Sequence, residues 1–107
     1  MAKRPEFTLS FAPEVVEHLD RIDPKYRGLL RQTIKEQLTD TPTEETRNRK
    51  PLDQPAPFGA SWELRCGPDN RFRVFYEVDA TAQEVRVLAV GVKDRNRLLI
   101  GREEYVS

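Results

Sequence analysis

Trp62-Glu63-Leu64-Arg65-Cys66, then Gly67-Pro68-Asp69-Asn70, then Phe72-Arg73-Val74-Phe75-Tyr76-Glu77-Val78 is the stretch that decides the fold. Trp62, Leu64 and Cys66 alternate with Glu63 and Arg65; Phe72, Val74, Tyr76 and Val78 alternate with Arg73, Phe75 and Glu77. A period of two marks half-buried strands. The Gly-Pro-Asp-Asn run between them is turn chemistry, because it supplies unusual φ values and side-chain acceptors. The stretch therefore predicts a hairpin with one face on a core. The opposite face shows Glu63, Arg65, Arg73, Phe75 and Glu77.

Downstream, Asp79 to Gln83 reads as a second turn. Glu84 to Val92 is β-branched with a nearly continuous apolar centre, which predicts a central strand covered on both faces. Basic Lys93-Asp94-Arg95-Asn96-Arg97 runs into apolar Leu98-Leu99-Ile100, which fits either a helical turn or an edge strand. Upstream, Phe7 to Phe11 alternates like a strand, and Pro13 stands where a helix takes its first residue. Val15, Val16, Leu19 and Ile22 follow at helical spacing. Asp23-Pro24 restarts the pattern with an N-cap oxygen and a proline, and Tyr26, Leu29, Leu30, Thr33, Ile34 and Leu38 line a second helix. The two make a helical hairpin. Between Asp40 and Ala60 stand Pro42, Pro51, Pro55 and Pro57 and no period, a long connection of the kind that is often functional.

The order is β-α-α-β-β-β. It predicts an α+β fold in which the helical hairpin packs on one face of a mostly antiparallel four-stranded sheet. Val16, Leu19, Leu30, Ile34, Trp62, Val74, Tyr76 and Val87 are the expected core. The 107 residues fit one domain, 1–107.

Composition narrows the class. Hydrophobic residues are 37% and charged residues 34%, polar but too patterned for disorder. The single cysteine, Cys66, excludes an internal disulfide framework; with no histidine or second cysteine beside it, it indicates neither a metal site nor a nucleophile. No apolar run approaches the roughly 20 residues of a membrane span. The start, Met1 to Glu6, lacks an apolar leader, so a cytoplasmic protein is expected. Formal net charge is zero, yet Pro13–Glu45 holds five basic and eight acidic residues while Thr46–Arg102 holds eleven and seven. That distribution is either surface scatter or an anionic helical side opposite a cationic sheet side.

Trp62-Glu63-Leu64-Arg65, Arg73 to Asp79 and Ala89-Val90-Gly91-Val92-Lys93, in this element order, resemble the RelE/ParE family of type II toxin–antitoxin toxins. Thr46 to Leu52 and Asn96 to Glu104 resemble a RelE-like branch, and the likeness runs from Phe7 to Val106. The resemblance implies a cognate antitoxin as partner. It also implies one of three activities: a metal-independent, ribosome-dependent mRNA endoribonuclease that inhibits translation, ParE-like inhibition of gyrase, or a catalytically inactive relative acting through antitoxin binding. The first is preferred. It would engage ribosome and mRNA, with no membrane, metal or small-molecule cofactor.

Carried over by this resemblance, Arg73, Arg65 and Lys93 fall on basic positions of the family's active surface. Glu63 and Ser61 stand where active RelE has lysines, and Glu63 is then either an obstacle to phosphate or a base. The family's C-terminal tyrosine aligns with Leu99 or, across an insertion, with Tyr105. The bland alternative for Arg73 and Arg65 is a cross-sheet salt bridge with Glu63 or Glu77. Arg47, Arg49 and Lys50, with Arg95 and Arg97, are candidate RNA contacts; their alternatives are pairing with the acidic helices and a solvated tail. Phe75 on the open face is the candidate stacking residue. His18, among Glu17 and Asp20, reads as a surface histidine.

Overall fold

The computed structural model describes residues 6–105. The expectation of no leader rests mainly on residues 1–5 and, like the end of the resemblance at Val106, lies outside them. β1 (Thr8–Phe11) leads into α1 (Glu14–Asp20) and α2 (Pro24–Leu38); β2 (Arg49–Pro51), β3 (Trp62–Cys66), β4 (Phe72–Asp79), β5 (Glu84–Asp94), β6 (Arg97–Ile100) and β7 (Glu103–Tyr105) follow. The α+β class and the helical hairpin are as the sequence predicts. The Asp23 side chain accepts from the Lys25 N–H at 3.1 Å with Pro24 in the first turn, so α2 begins where its cap signal stands.

The β3–β4 hairpin forms in the register that the alternation requires, with Leu64 opposite Val74 and Arg65 opposite Arg73. The sheet is mostly antiparallel, but among the described residues it has seven strands rather than four, in the order β2-β3-β4-β5-β6-β7 with β1 parallel to β5. β2 and β7 have three residues each, too few to show a period, and Leu98-Leu99-Ile100 of β6 does not alternate. β2 lies in the proline-rich connection and pairs Arg49, Lys50 and Pro51 with Leu64, Glu63 and Trp62. Pro51 is tolerated because β2 is an edge, where a missing N–H leaves no ladder bond unmade. The basic tail becomes an edge hairpin, β6–β7, in place of a helical turn.

β5 serves both faces, which explains its continuous apolar run. A register shift places Tyr76 opposite Val87 but Phe75 opposite Ala89, leaving Leu88 as the extra residue. A bulge of this kind turns later side chains to a new face. Val85, Val87 and Val90 thus join the helix-side core with Val15, Ile22, Leu30, Ile34, Leu38, Leu64, Val74 and Tyr76. On the other face Phe75, Ala60, Ala89 and Ile100 form a second small core, against which Leu52, Leu98 and Tyr105 pack.

Most of the expected core is buried; Leu19 and Trp62 are half-buried, and Val16 is 64% exposed. Val15, His18, Leu19 and Ile22 share a stripe at i, i+3, i+4 and i+7, so the buried face of α1 passes Val16 by. The place assigned to Val16 belongs to His18, which is buried rather than on the surface. β1 pairs with β5 at residues 84–87 and β6 pairs with it at 91–94, leaving a gap in the ladder between them. His18 Nδ1 fills it, accepting from the Val90 N–H at 3.2 Å. No helix among the described residues is long and apolar enough to cross a membrane.

Candidate active site

β3, β4 and β5 present alternate side chains to the face away from the helices. The shared parity of Arg65 and Arg73, and their direct pairing across strands, set two guanidinium groups side by side. Gly91 on β5 stands opposite Arg73. A Cβ on Gly91 would lie 2.9 Å from Ile100 Cγ1 and 3.0 Å from the Leu99 carbonyl, so glycine lets β6 close against β5 here. Two residues on, Lys93 points to the same face.

The result is a groove of about 550 Å³. Its walls are the connection before β3, with Lys50, Asp53 and Phe58, and the C-terminal hairpin, with Leu98 and Tyr105; Glu63, Arg65, Arg73, Phe75 and Lys93 also line it. The sheet thus brings together Glu63, Arg65, Arg73 and Lys93 of the positions carried over by the resemblance, with Tyr105 beside them; Ser61 and Leu99 do not line this groove. Lys50, Arg65, Arg73 and Lys93 against Asp53 and Glu63 leave a surplus of two positive charges in a chain whose net charge is zero.

Glu63 organises the groove. Its Oε1 accepts from Arg65 Nε at 2.9 Å and from Arg73 Nη1 at 3.4 Å. The Glu63 and Arg73 side chains are 11% and 14% exposed and Arg65 is 37% exposed. The cross-sheet salt bridge raised as the bland alternative is therefore present, and it lies within the groove. Arg73 Nε also donates to the Asn70 carbonyl at 3.3 Å, which fixes the plane of its fork. Burial lowers the Arg73 guanidinium below its ordinary value; Glu63 opposes this and neighbouring Arg65 adds to it. An arginine so placed stays charged at neutral pH, with donors left over for an anion. Tyr105 is raised above the usual tyrosine value by burial and by Glu103, so its hydroxyl keeps its proton. Among the described residues no three His, Cys, Asp or Glu side chains gather as metal ligands would. Burial pushes the Cys66 thiol up to about 11.

The outer candidates divide. Arg95 lines a second groove with Arg71, Arg73 and Lys93. Arg97 is tied to Glu104 across the β6–β7 hairpin at 2.8 Å, and Arg47 is exposed. Arg49 is not a surface contact: it is buried, and its guanidinium donates to the Gln37 carbonyl and to Thr41 Oγ1. A cation at the last turn of α2 meets carbonyls that the helix leaves without partners. Phe75 is on the predicted face but 1% exposed, because the connection and the C-terminal hairpin fold over it. The groove instead shows Phe58, 42% exposed, and the partly buried Tyr105. The signal for Phe58 was the Pro57-Phe58-Gly59 turn inside a segment without period.

A family model described as ParE toxin of type II toxin-antitoxin system, parDE, matches residues 9–97. Among solved structures, a chain of the toxin–antitoxin complex RelBE2 from Mycobacterium tuberculosis is similar, with TM-score 0.61 and 20% identity over 82% of this chain and 99% of that one. No curated protein matches.

Proposed function

The chain belongs to the ParE toxin family of type II toxin–antitoxin systems, within the RelE/ParE superfamily, and from that premise we propose that it is a toxin that cleaves ribosome-bound mRNA in the Glu63–Arg65–Arg73–Lys93 groove. One observation carries the reading: the Glu63 carboxylate held by two guanidiniums on the floor of a groove that also contains Lys93 and Tyr105. In this reading Glu63 takes the proton of a ribose 2′-hydroxyl. The O2′–P bond forms, the P–O5′ bond breaks, and the departing oxygen takes a proton from Tyr105 or Lys93. The products are a 2′,3′-cyclic phosphate and a 5′-hydroxyl. Arg65 and Arg73 hold the phosphorane oxygens, whose charge rises as the bond forms, and the cationic surplus of the groove matches that rise.

The partner is an antitoxin. Its surface would be the helical side, where Phe11, Val16 and Leu29 leave 46–64% of their area exposed. Isolated exposed apolar residues are ordinary, but three on consecutive elements suit an antitoxin segment that folds on docking.

The test is induced expression with primer extension on ribosome-bound mRNA. Wild type is expected to arrest growth and cut mRNA. Arg73→Ala should cut about a hundredfold more slowly, the scale of a lost oxyanion donor. Glu63→Gln keeps the hydrogen bonds and removes the base, so it should be inactive; full activity would make Glu63 an anchor only. The family match itself favours a second reading, gyrase inhibition. Growth arrest with intact mRNA and blocked supercoiling would establish that one instead.

A further inference from the structure

Phe58 is unlike Phe75, the other phenylalanine of the groove face. Phe75 is 1% exposed in the small core, whereas Phe58 is 42% exposed on the groove wall. Its backbone lies in the left-handed region, φ 57° and ψ 20°, and Gly59 follows at φ 69°. A bulky side chain there is a genuine outlier, sustained only where the surroundings over-determine it. The surroundings here are two rings. His18 from α1 meets Phe58 edge-on at 5.4 Å, and Tyr105 from β7 lies 5.8 Å away at 38°. An exposed ring held from two sides loses little freedom when a ligand covers it.

We propose that Phe58, backed by Tyr105, is the stacking platform for the nucleobase beside the phosphate that Arg65 and Arg73 would hold, which makes the groove a site for unpaired RNA. This rests on the RNA-cleaving reading and goes beyond it by naming the base-recognition element. A π-face and a fixed cation cluster share one groove of about 550 Å³. That size lies inside the range of roughly 300–1,000 Å³ typical of ligand sites. Proteins that hold single strands pair these same two features, cations for the backbone and aromatic faces for the bases. A base inside a duplex has no free face, so the site selects unstacked nucleotides.

The experiment uses ribosomes programmed with short mRNAs, one intact and one carrying abasic ribose, with its 2′-hydroxyl retained, next to the cut site. Cleavage rates are measured for wild type, Phe58→Ala and Phe58→Trp. Wild type should lose roughly tenfold on the abasic message, as one lost stack implies. Phe58→Ala should lose a similar factor on the intact message and nothing further on the abasic one, because both changes remove the same contact. Phe58→Trp should retain wild-type discrimination, which also shows that the loop folds with a substituted ring. Equal losses by Phe58→Ala on both messages, or none on either, overturn the proposal and leave the cleavage reading intact. Wild type cutting neither message overturns both.

Discussion

Arg49 shows how burial reassigns a residue. In the chain it belongs to a basic run, Arg47-Asn48-Arg49-Lys50, that reads as a phosphate patch. In the fold the β2 alternation turns Arg49 inward while Lys50, opposite Glu63, stays at the groove. The Arg49 guanidinium joins β2 to the end of α2. Tyr76 pins the same connection from the core, its hydroxyl donating to the Pro42 carbonyl at 2.7 Å; burial holds that phenol protonated. Arg49→Ala removes charge-assisted bonds and leaves a helix-end carbonyl without its partner. It should cost about 2–3 kcal/mol in urea unfolding; under the proposed function, RNA cleavage per folded molecule should be unchanged. A stability change below about 0.5 kcal/mol together with weaker RNA binding would return Arg49 to the phosphate contacts.

At the scale of elements, α1 is joined to β5 through a histidine. The Val90 N–H faces a gap in the ladder, and an unpaired buried N–H is costly. His18 meets it with an acceptor lone pair, available only while Nδ1 is unprotonated. Burial lowers the His18 pKa from its ordinary 6.5, and the nearby Glu17 and Glu14 carboxylates pull the other way without reversing it. The unfolded chain therefore binds a proton at a pH where the folded one does not. Stability from this residue is complete above pH 6.5 and falls as the pH drops from there to the lowered folded value, then levels off. His18 is the sole histidine of the chain, so the window is its own. His18→Asn supplies an acceptor that does not titrate. Urea midpoints from pH 7.5 to 5 should fall more steeply for wild type than for His18→Asn. Parallel curves would remove His18 from the pH dependence.

At the scale of the molecule, the sheet divides two tasks. The helix-side core carries stability, and the far face carries the groove behind a small second core. Under the proposed function the antitoxin meets the helical side and RNA meets the other. Val16 and Leu29 project from α1 and α2 at 64% and 46% exposure, so changing them should leave the fold alone. The double variant Val16→Asp, Leu29→Asp should shift unfolding by less than about 0.5 kcal/mol per site. It should weaken antitoxin binding at least tenfold, about 1.4 kcal/mol, in calorimetry with the co-encoded antitoxin, while toxicity persists. Unchanged affinity would place the antitoxin elsewhere.

The sequence alone determined the class, the helical hairpin, the β3–β4 register and the face shared by Glu63, Arg65 and Arg73. Each follows from a period or a cap, and these are local properties of the chain. Tertiary structure alone decided the rest. Lys93 is a tertiary decision: plain alternation from Val85 and Val87 would send it to the helix side, and the bulge at Leu88 turns it to the groove. Whether Phe75 faces water depends on what folds across it, and whether Arg49 meets phosphate or a helix end depends on a neighbour twelve residues away. The His18 partner lies 72 residues along the chain; β2 and β6 exist because longer strands stood ready to pair with them, and β7 pairs with β6 in turn. A periodicity records which side of an element seeks burial; it carries no record of which distant segment arrives to cover it, and burial decides whether a cation or an aromatic ring can meet a ligand.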